Sequence, residues 1–227
     1  MRKILSLTFM ALTLFSCQPV KEQGKSDIEK ELEQIGLQNV AQEIPGIDVY
    51  MVYSTPYNFM GRVLYTGLDE AYLVPEAMEK LRKASELLRK KRLDLHLVVY
   101  DAARPRSIQQ QMWAVVENTE LQDFVANPNK SGGGAHNYGV AVDVSLVDCT
   151  GHPIPIGSEY DYFGDRSRVD LEDQLIANGE INQRELKNRQ LLREVMTEAG
   201  WLVEPSEWWH FNAMPLSEAS QKFTVIK

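Results

Sequence analysis

The stretch Gly134-Ala135-His136-Asn137-Tyr138-Gly139-Val140-Ala141-Val142-Asp143 sets an imidazole and a carboxylate seven positions apart at the lip of a strand. Val140 to Val144 is β-branched or small apart from Asp143, a pattern that predicts a mostly buried strand interrupted by one acid. Burying an unpaired ionised group costs on the order of several kcal/mol. Asp143 therefore needs a cation beside it, either a Lys or Arg or a metal ion. Gly134 and Gly139 bracket the histidine and leave out side-chain bulk where the backbone must turn or a ligand approach closely. His136 and Asp143 are read together as holders of a metal ion.

Near the other end, Glu207-Trp208-Trp209-His210 supplies a second carboxylate and a second imidazole three positions apart. The chain has four histidines, His96, His136, His152 and His210, so two of them beside acids in Gly- or Trp-rich segments is informative. Two neutral imidazoles and one carboxylate are a usual protein set for a catalytic zinc. On that reading Glu207 is left over as a base. The alternative is that His210 is a half-buried histidine under Trp208 and Trp209.

With 227 residues and 44% hydrophobic content the chain can bury one sizeable core, and nothing in it points to two domains. A net charge of −8 argues against nucleic acid as a partner, since phosphate binding needs a basic face. Residues 1–17 combine a basic start (Arg2, Lys3), an apolar run from Ile4 to Phe15, and Leu14-Phe15-Ser16-Cys17. The run is shorter than the roughly 20 residues a bilayer requires, which predicts a secretory signal. Its end is similar to the bacterial lipobox, with Cys17 acylated and the protein held in the cell envelope by a membrane anchor. Cys149 is then the one unmodified thiol, so no disulfide framework is expected.

Residues 18–40 are polar and charged and are expected to form a tether that becomes helical towards its end. Residues 41–227 are expected to form the catalytic domain. Ile47 to Tyr53 predicts a strand, with a further short one possible through Val63, Leu64 and Tyr65. Pro75 suits the first turn of a helix that continues through Ala77, Leu81, Ala84 and Leu88 to the basic run Arg89 to Arg92. Leu93 to Asp101 reads as a strand, with His96 a bystander on its polar face. Pro105 keeps Arg104 out of helical geometry, so this guanidinium is aimed from a strand end. A helix is expected over about Ser107 to Val125, then a loop from Asn127 to Gly134 leading into His136. Asp148 to Pro153 predicts a hairpin turn with His152 in solvent. Asn182 and Glu185 form a capping box for a helix closed by Gly200, and Trp201 to Val203 runs as a strand towards Glu207.

These residues resemble the zinc-dependent D-alanyl-D-alanine dipeptidases of the type associated with vancomycin resistance, within the D,D-carboxypeptidase-like and hedgehog-like zinc peptidases. Four segments carry the resemblance, in the family's order. They are Asn58-Phe59-x-Gly61, the pair Arg104-Pro105, His136-x-x-Gly139-x-Ala141-x-Asp143, and Glu207-x-Trp209-His210. The resemblance implies an α+β single domain with a central antiparallel sheet packed by helices. It also implies one zinc ion on His136, Asp143 and His210, Glu207 as catalytic base, and Arg104 as stabiliser of the transition state. Asp161, in Tyr160-Asp161, is similar to the family's Phe-Asp pair, whose acid receives the free ammonium of a small dipeptide. Two departures stand out: Gly134 where the family has Ser, and Ile156-Gly157-Ser158 where it has Met-Gly-Thr or Met-Gly-Ser. A D,D- or L,D-carboxypeptidase acting on peptidoglycan stems, and a non-catalytic metal-bound peptide-binding lipoprotein, remain alternative readings.

Overall fold

A computed structural model describes residues 24–130 and 133–227. Cys17 and the signal-like segment lie outside the described residues. In chain order the elements are α1 (Asp27–Gln34), β1 (Gln38–Asn39), α2 (Val40–Glu43), β2 (Asp48–Val49), β3 (Tyr72–Leu73), α3 (Pro75–Lys91), β4 (Leu95–Asp101) and α4 (Arg106–Val116). They continue as β5 (Ala141–Asp148), α5 (Glu172–Ala177), α6 (Gln183–Glu198), β6 (Leu202–Val203), β7 (His210–Asn212) and α7 (Leu216–Lys222). The main sheet has the order β2-β4-β5-β7-β6, and β1 pairs with β3 in a small separate ladder.

The central strand β5 is buried on both faces from Ala141 to Val147, as its near-continuous apolar sequence dictates. Helix α3 starts on Pro75 and buries Ala77, Met78, Leu81, Ala84 and Leu88, a stripe at helical spacing. It packs against β4 and against α6, which in turn packs against β5. The register then decides the chemistry. The β5–β7 ladder sets Asp143 opposite His210, and the β4–β5 ladder sets Asp101 opposite Asp143 after an irregularity between Val99 and Asp101.

Several expectations need correction. The sheet is mixed rather than antiparallel, because β2 pairs with β4 in parallel. The connection between them runs through β3 and α3, long enough for the crossover that a parallel pair requires. The expected strand over Ile47–Tyr53 shrinks to Asp48–Val49, since Met51, Val52 and Tyr53 are all buried and the alternation fails. The chain instead enters a 3-10 turn, Val52–Ser54. No strand forms at Val63–Tyr65; the N–H groups of Leu64 and Tyr65 both donate to the Tyr53 carbonyl. The helix expected to reach Val125 ends at Val116, just before Asn118 takes a φ of 63°, a left-handed conformation that asparagine tolerates. The stretch read as a tether turns helical towards its end as expected, in α1, but that helix is packed rather than solvated. A capping box between Ser26 and Glu29 starts α1, and Leu32, 1% exposed, joins the core.

Candidate active site

Asp143, His136 and His210 converge although they are dispersed in sequence. Asp143 and His210 face each other across the β5–β7 ladder, while His136 sits in a 3-10 turn, Ala135–Tyr138, that feeds β5. Gly139 ends that turn at φ 67°, and its Cα packs against Leu37 so closely that a Cβ would come within 3.0 Å of it. Asn137 fixes the turn from both sides. Its Nδ2 donates to the Arg104 carbonyl and its Oδ1 accepts from the Gly134 N–H.

The three candidate ligand atoms are His136 Nε2, His210 Nδ1 and Asp143 Oδ1. They are separated by 3.1 Å between the two nitrogens, 3.3 Å from His136 to Asp143 and 3.0 Å from His210 to Asp143. Metal bonds of about 2.0–2.1 Å in tetrahedral array put ligand atoms about 3.3 Å apart, so the triangle is the right size for a zinc ion. The outer hydrogen bonds decide which nitrogens are free. His136 Nδ1 lies 2.7 Å from the Ala102 carbonyl and can reach it only as a donor. His210 Nε2 lies 3.0 Å from Asn212 Oδ1 and donates to it in the same way. Both remaining nitrogens then present lone pairs to Asp143 Oδ1, and three acceptors facing one another need a cation or a proton between them. Without an ion the site takes a proton. Burial works against a charged His210, but the hydrogen bond and charge of Asp143 raise it to about 9. Burial likewise opposes ionisation of Asp143, and the charges and hydrogen bonds of His136 and His210 outweigh it, holding the carboxyl well below the usual range. His136, Asp143 and His210 are thus a group able to hold a metal ion.

The remaining expected site residues surround this triangle in one cleft of about 340 Å³. Glu207 is buried, with Oε2 3.9 Å from His210 Nδ1, and burial pushes its carboxyl up to about 8. Arg104 also lines the cleft. Its Nε and Nη2 donate to Asp101 Oδ2, its Nη1 donates to Gln109, and Nη2 lies 3.7 Å from Asp143 Oδ2. Asp161, half-buried at a φ of 60°, accepts from the Tyr53 hydroxyl at 2.9 Å and the Phe59 N–H at 3.4 Å. Burial raises its carboxyl to about 7. Phe163 stacks on Phe124 and tilts against Phe59, and these three rings line the Asp161 end of the cleft.

His96 pairs with Asp48 outside the cleft and His152 is exposed at its turn, as expected of bystanders. Sequence reasoning missed the supporting residues. Asp101 and Gln109 fix Arg104, Asn212 orients His210, and Tyr160 donates to Asp143. Only their positions revealed them, except that Asn212, two residues after His210, points to the same face of the strand.

A mixed α/β domain whose cleft gathers a His–Asp–His ligand set, a buried glutamate and an arginine has the makings of a metal-dependent hydrolase. Residues 33–226 match the family described as D-Ala-D-Ala dipeptidase, among the M15 peptidases, and the chain belongs to that family. It is 27% identical over 176 residues to the D-alanyl-D-alanine dipeptidase of Escherichia coli (strain K12), covering 77% of this chain and 83% of that one. It is also 27% identical over 194 residues to the D-alanyl-D-alanine dipeptidase of Enterococcus faecium, covering 78% and 91% respectively. The same identity holds over 176 residues to the enzyme of that name from Synechocystis, with 65% of this chain and 71% of that one covered.

Proposed function

We propose that this protein hydrolyses D-alanyl-D-alanine to two D-alanines, with one zinc ion on His136, Asp143 and His210. The observation that carries the metal reading is the set of three mutually facing acceptor atoms within 3.3 Å, each oriented by a hydrogen bond on its far side. When bound, the ion supplies positive charge that polarises the peptide carbonyl and makes water a stronger acid at neutral pH.

The chain's own residues complete the reaction. Glu207 takes a proton from the water that attacks the carbonyl carbon, then delivers it to the departing amine as the C–N bond breaks. Arg104 faces the developing oxyanion, held in place by Asp101 and Gln109, a role worth about 2.7–4 kcal/mol for one such donor. Asp161 receives the free ammonium of the substrate. An acylated amino end would leave that carboxylate unmatched, which selects dipeptides over longer chains. The aromatic wall of Phe59, Phe124 and Phe163 at that end favours a dipeptidase over a carboxypeptidase trimming peptidoglycan stems. The lipobox-like ending at Cys17 supports attachment of the enzyme to a membrane of the bacterial envelope.

Turnover of D-Ala-D-Ala compared with a stem pentapeptide tests the substrate. Efficient release of D-alanine from the dipeptide and none from the pentapeptide is expected; the reverse preference would establish the carboxypeptidase reading.

A further inference from the structure

Arg189 occupies a place where the pattern of α6 calls for an apolar side chain. It shares the buried stripe of that helix with Leu192, Val195 and Met196 and is 1% exposed. Arginine at such a position is costly unless its charge and donors are used. It is not held chiefly by an ion pair. Glu172, the nearest carboxylate, is gripped through both oxygens by Arg193, at 2.9 and 2.8 Å, and Arg189 Nη1 stands 4.0 Å from it with no hydrogen-bond partner. Burial lowers the guanidinium to about 10, which still leaves it charged at neutral pH.

The donors that are used go to backbone. Nε donates to the Ile156 carbonyl at 2.6 Å and Nη2 to the Arg166 carbonyl at 2.5 Å. Those carbonyls are the two ends of one loop, and between them lie Tyr160, Asp161 and Phe163. The approach is tight. Gly157 has a φ of 94°, and a Cβ there would come within 3.1 Å of Arg189 Nη2 and 2.7 Å of Ile181. One planar fork thus closes the base of the loop that carries the acid at the amino end of the cleft. A hydrogen bond from Trp208 Nε1 to Ser158 Oγ ties the same loop to the segment bearing Glu207.

We propose that Arg189 is a positioning residue for substrate selection, setting the height of Asp161 over the cleft and so the preference for a free amino end. This rests on the reading of Asp161 as receiver of the substrate ammonium. A methionine of similar length in the same apolar surroundings removes both donors while preserving the packing of α6. A lysine retains a charge but reaches carbonyls as a point donor without the fork.

The test uses the full-length zinc-loaded enzyme and measures kcat and KM for D-Ala-D-Ala and for its N-acetyl derivative, with zinc content determined alongside. Displacements of about 1 Å cost up to about a hundredfold, so Arg189→Met is expected to raise KM for the free dipeptide tenfold or more. It should shrink the preference over the acetylated dipeptide by a similar factor and leave kcat little changed at saturating zinc, a condition needed because Tyr160, which holds Asp143, sits on the same loop. Arg189→Lys should fall between it and the wild type, and decides the matter if Arg189→Met does not fold. A purely structural arginine would lower thermal stability with KM and the preference intact, and that result overturns the proposal. Asp161→Asn separates the two levels. If it abolishes the preference while the Arg189 variants keep it, only the role of Arg189 fails; if Asp161→Asn keeps the preference, the reading of Asp161 fails and this inference with it.

Discussion

The Tyr160 hydroxyl donates to Asp143 Oδ2 at 2.9 Å, on the side of the carboxylate turned away from the two histidines. It leaves Oδ1 free to face them and fixes the plane of the carboxylate. Partners of this kind change metal affinity by about 10- to 100-fold when removed. Tyr160→Phe, which keeps the ring packed against Trp209 and Tyr100, is therefore expected to weaken zinc binding by about tenfold. Competition with a chromogenic chelator measures this directly, and an unchanged affinity would show that the hydrogen bond does not shape the ligand set.

Gly134 sits where the backbone leaves too little room for a side chain. A Cβ at this position would lie 2.8 Å from the Cβ of Ala126. Gly134→Ser alone is expected to cost about 1–3 kcal/mol through overpacking. Ala126→Gly in the same chain should restore most of that loss, and a double-mutant cycle of thermal unfolding should return a coupling well above the additive expectation. Additive effects would mean that the loop simply moves aside.

The pH dependence of stability should reverse sign with metal. In the metal-free protein burial raises Asp161 to about 7 and Glu207 to about 8, and Asp143 overcomes burial to raise His210 to about 9. All three bind more protons folded than unfolded over much of the range between about pH 4 and 9, so stability falls as pH rises through that window. Zinc held on His136, Asp143 and His210 as proposed would displace the proton from His210 and favour ionised Glu207, so the loaded enzyme should gain stability over the same interval. Thermal melts at pH 5, 7 and 9 with and without chelator check it. Parallel curves would contradict the assignment of these groups to a metal site.

If Cys17 carries the acyl anchor, Cys17→Ser should move the enzyme from the membrane fraction to the soluble fraction without changing kcat. Among the described residues no helix is long and apolar enough to cross a membrane. Labelled fatty acid incorporated into the wild type and not the variant is the companion measurement.

The chemistry was more legible in the sequence than the architecture. His136, Asp143, Glu207 and His210 could be singled out because imidazoles are scarce and an acid inside an apolar strand demands a partner. Their convergence follows from a ladder register, Asp143 opposite His210, that no local pattern states. The residues that hold them were hidden for the same reason. Asp101 reads as the polar end of a strand, Gln109 as one polar residue among several in α4, and Arg189 as one of several charged residues in α6. Each acts through a partner brought to it by tertiary packing. The parallel pairing of β2 was equally invisible, since two residues of strand carry too little pattern to fix direction.

Diffraction from crystals of the zinc-loaded enzyme, with anomalous maps recorded on both sides of the zinc absorption edge, tests the central claim most directly. The expected result is one peak per chain, about 2.0–2.1 Å from His136 Nε2, His210 Nδ1 and the Asp143 carboxylate. A peak elsewhere, or ligation through His136 Nδ1 or His210 Nε2, would contradict it.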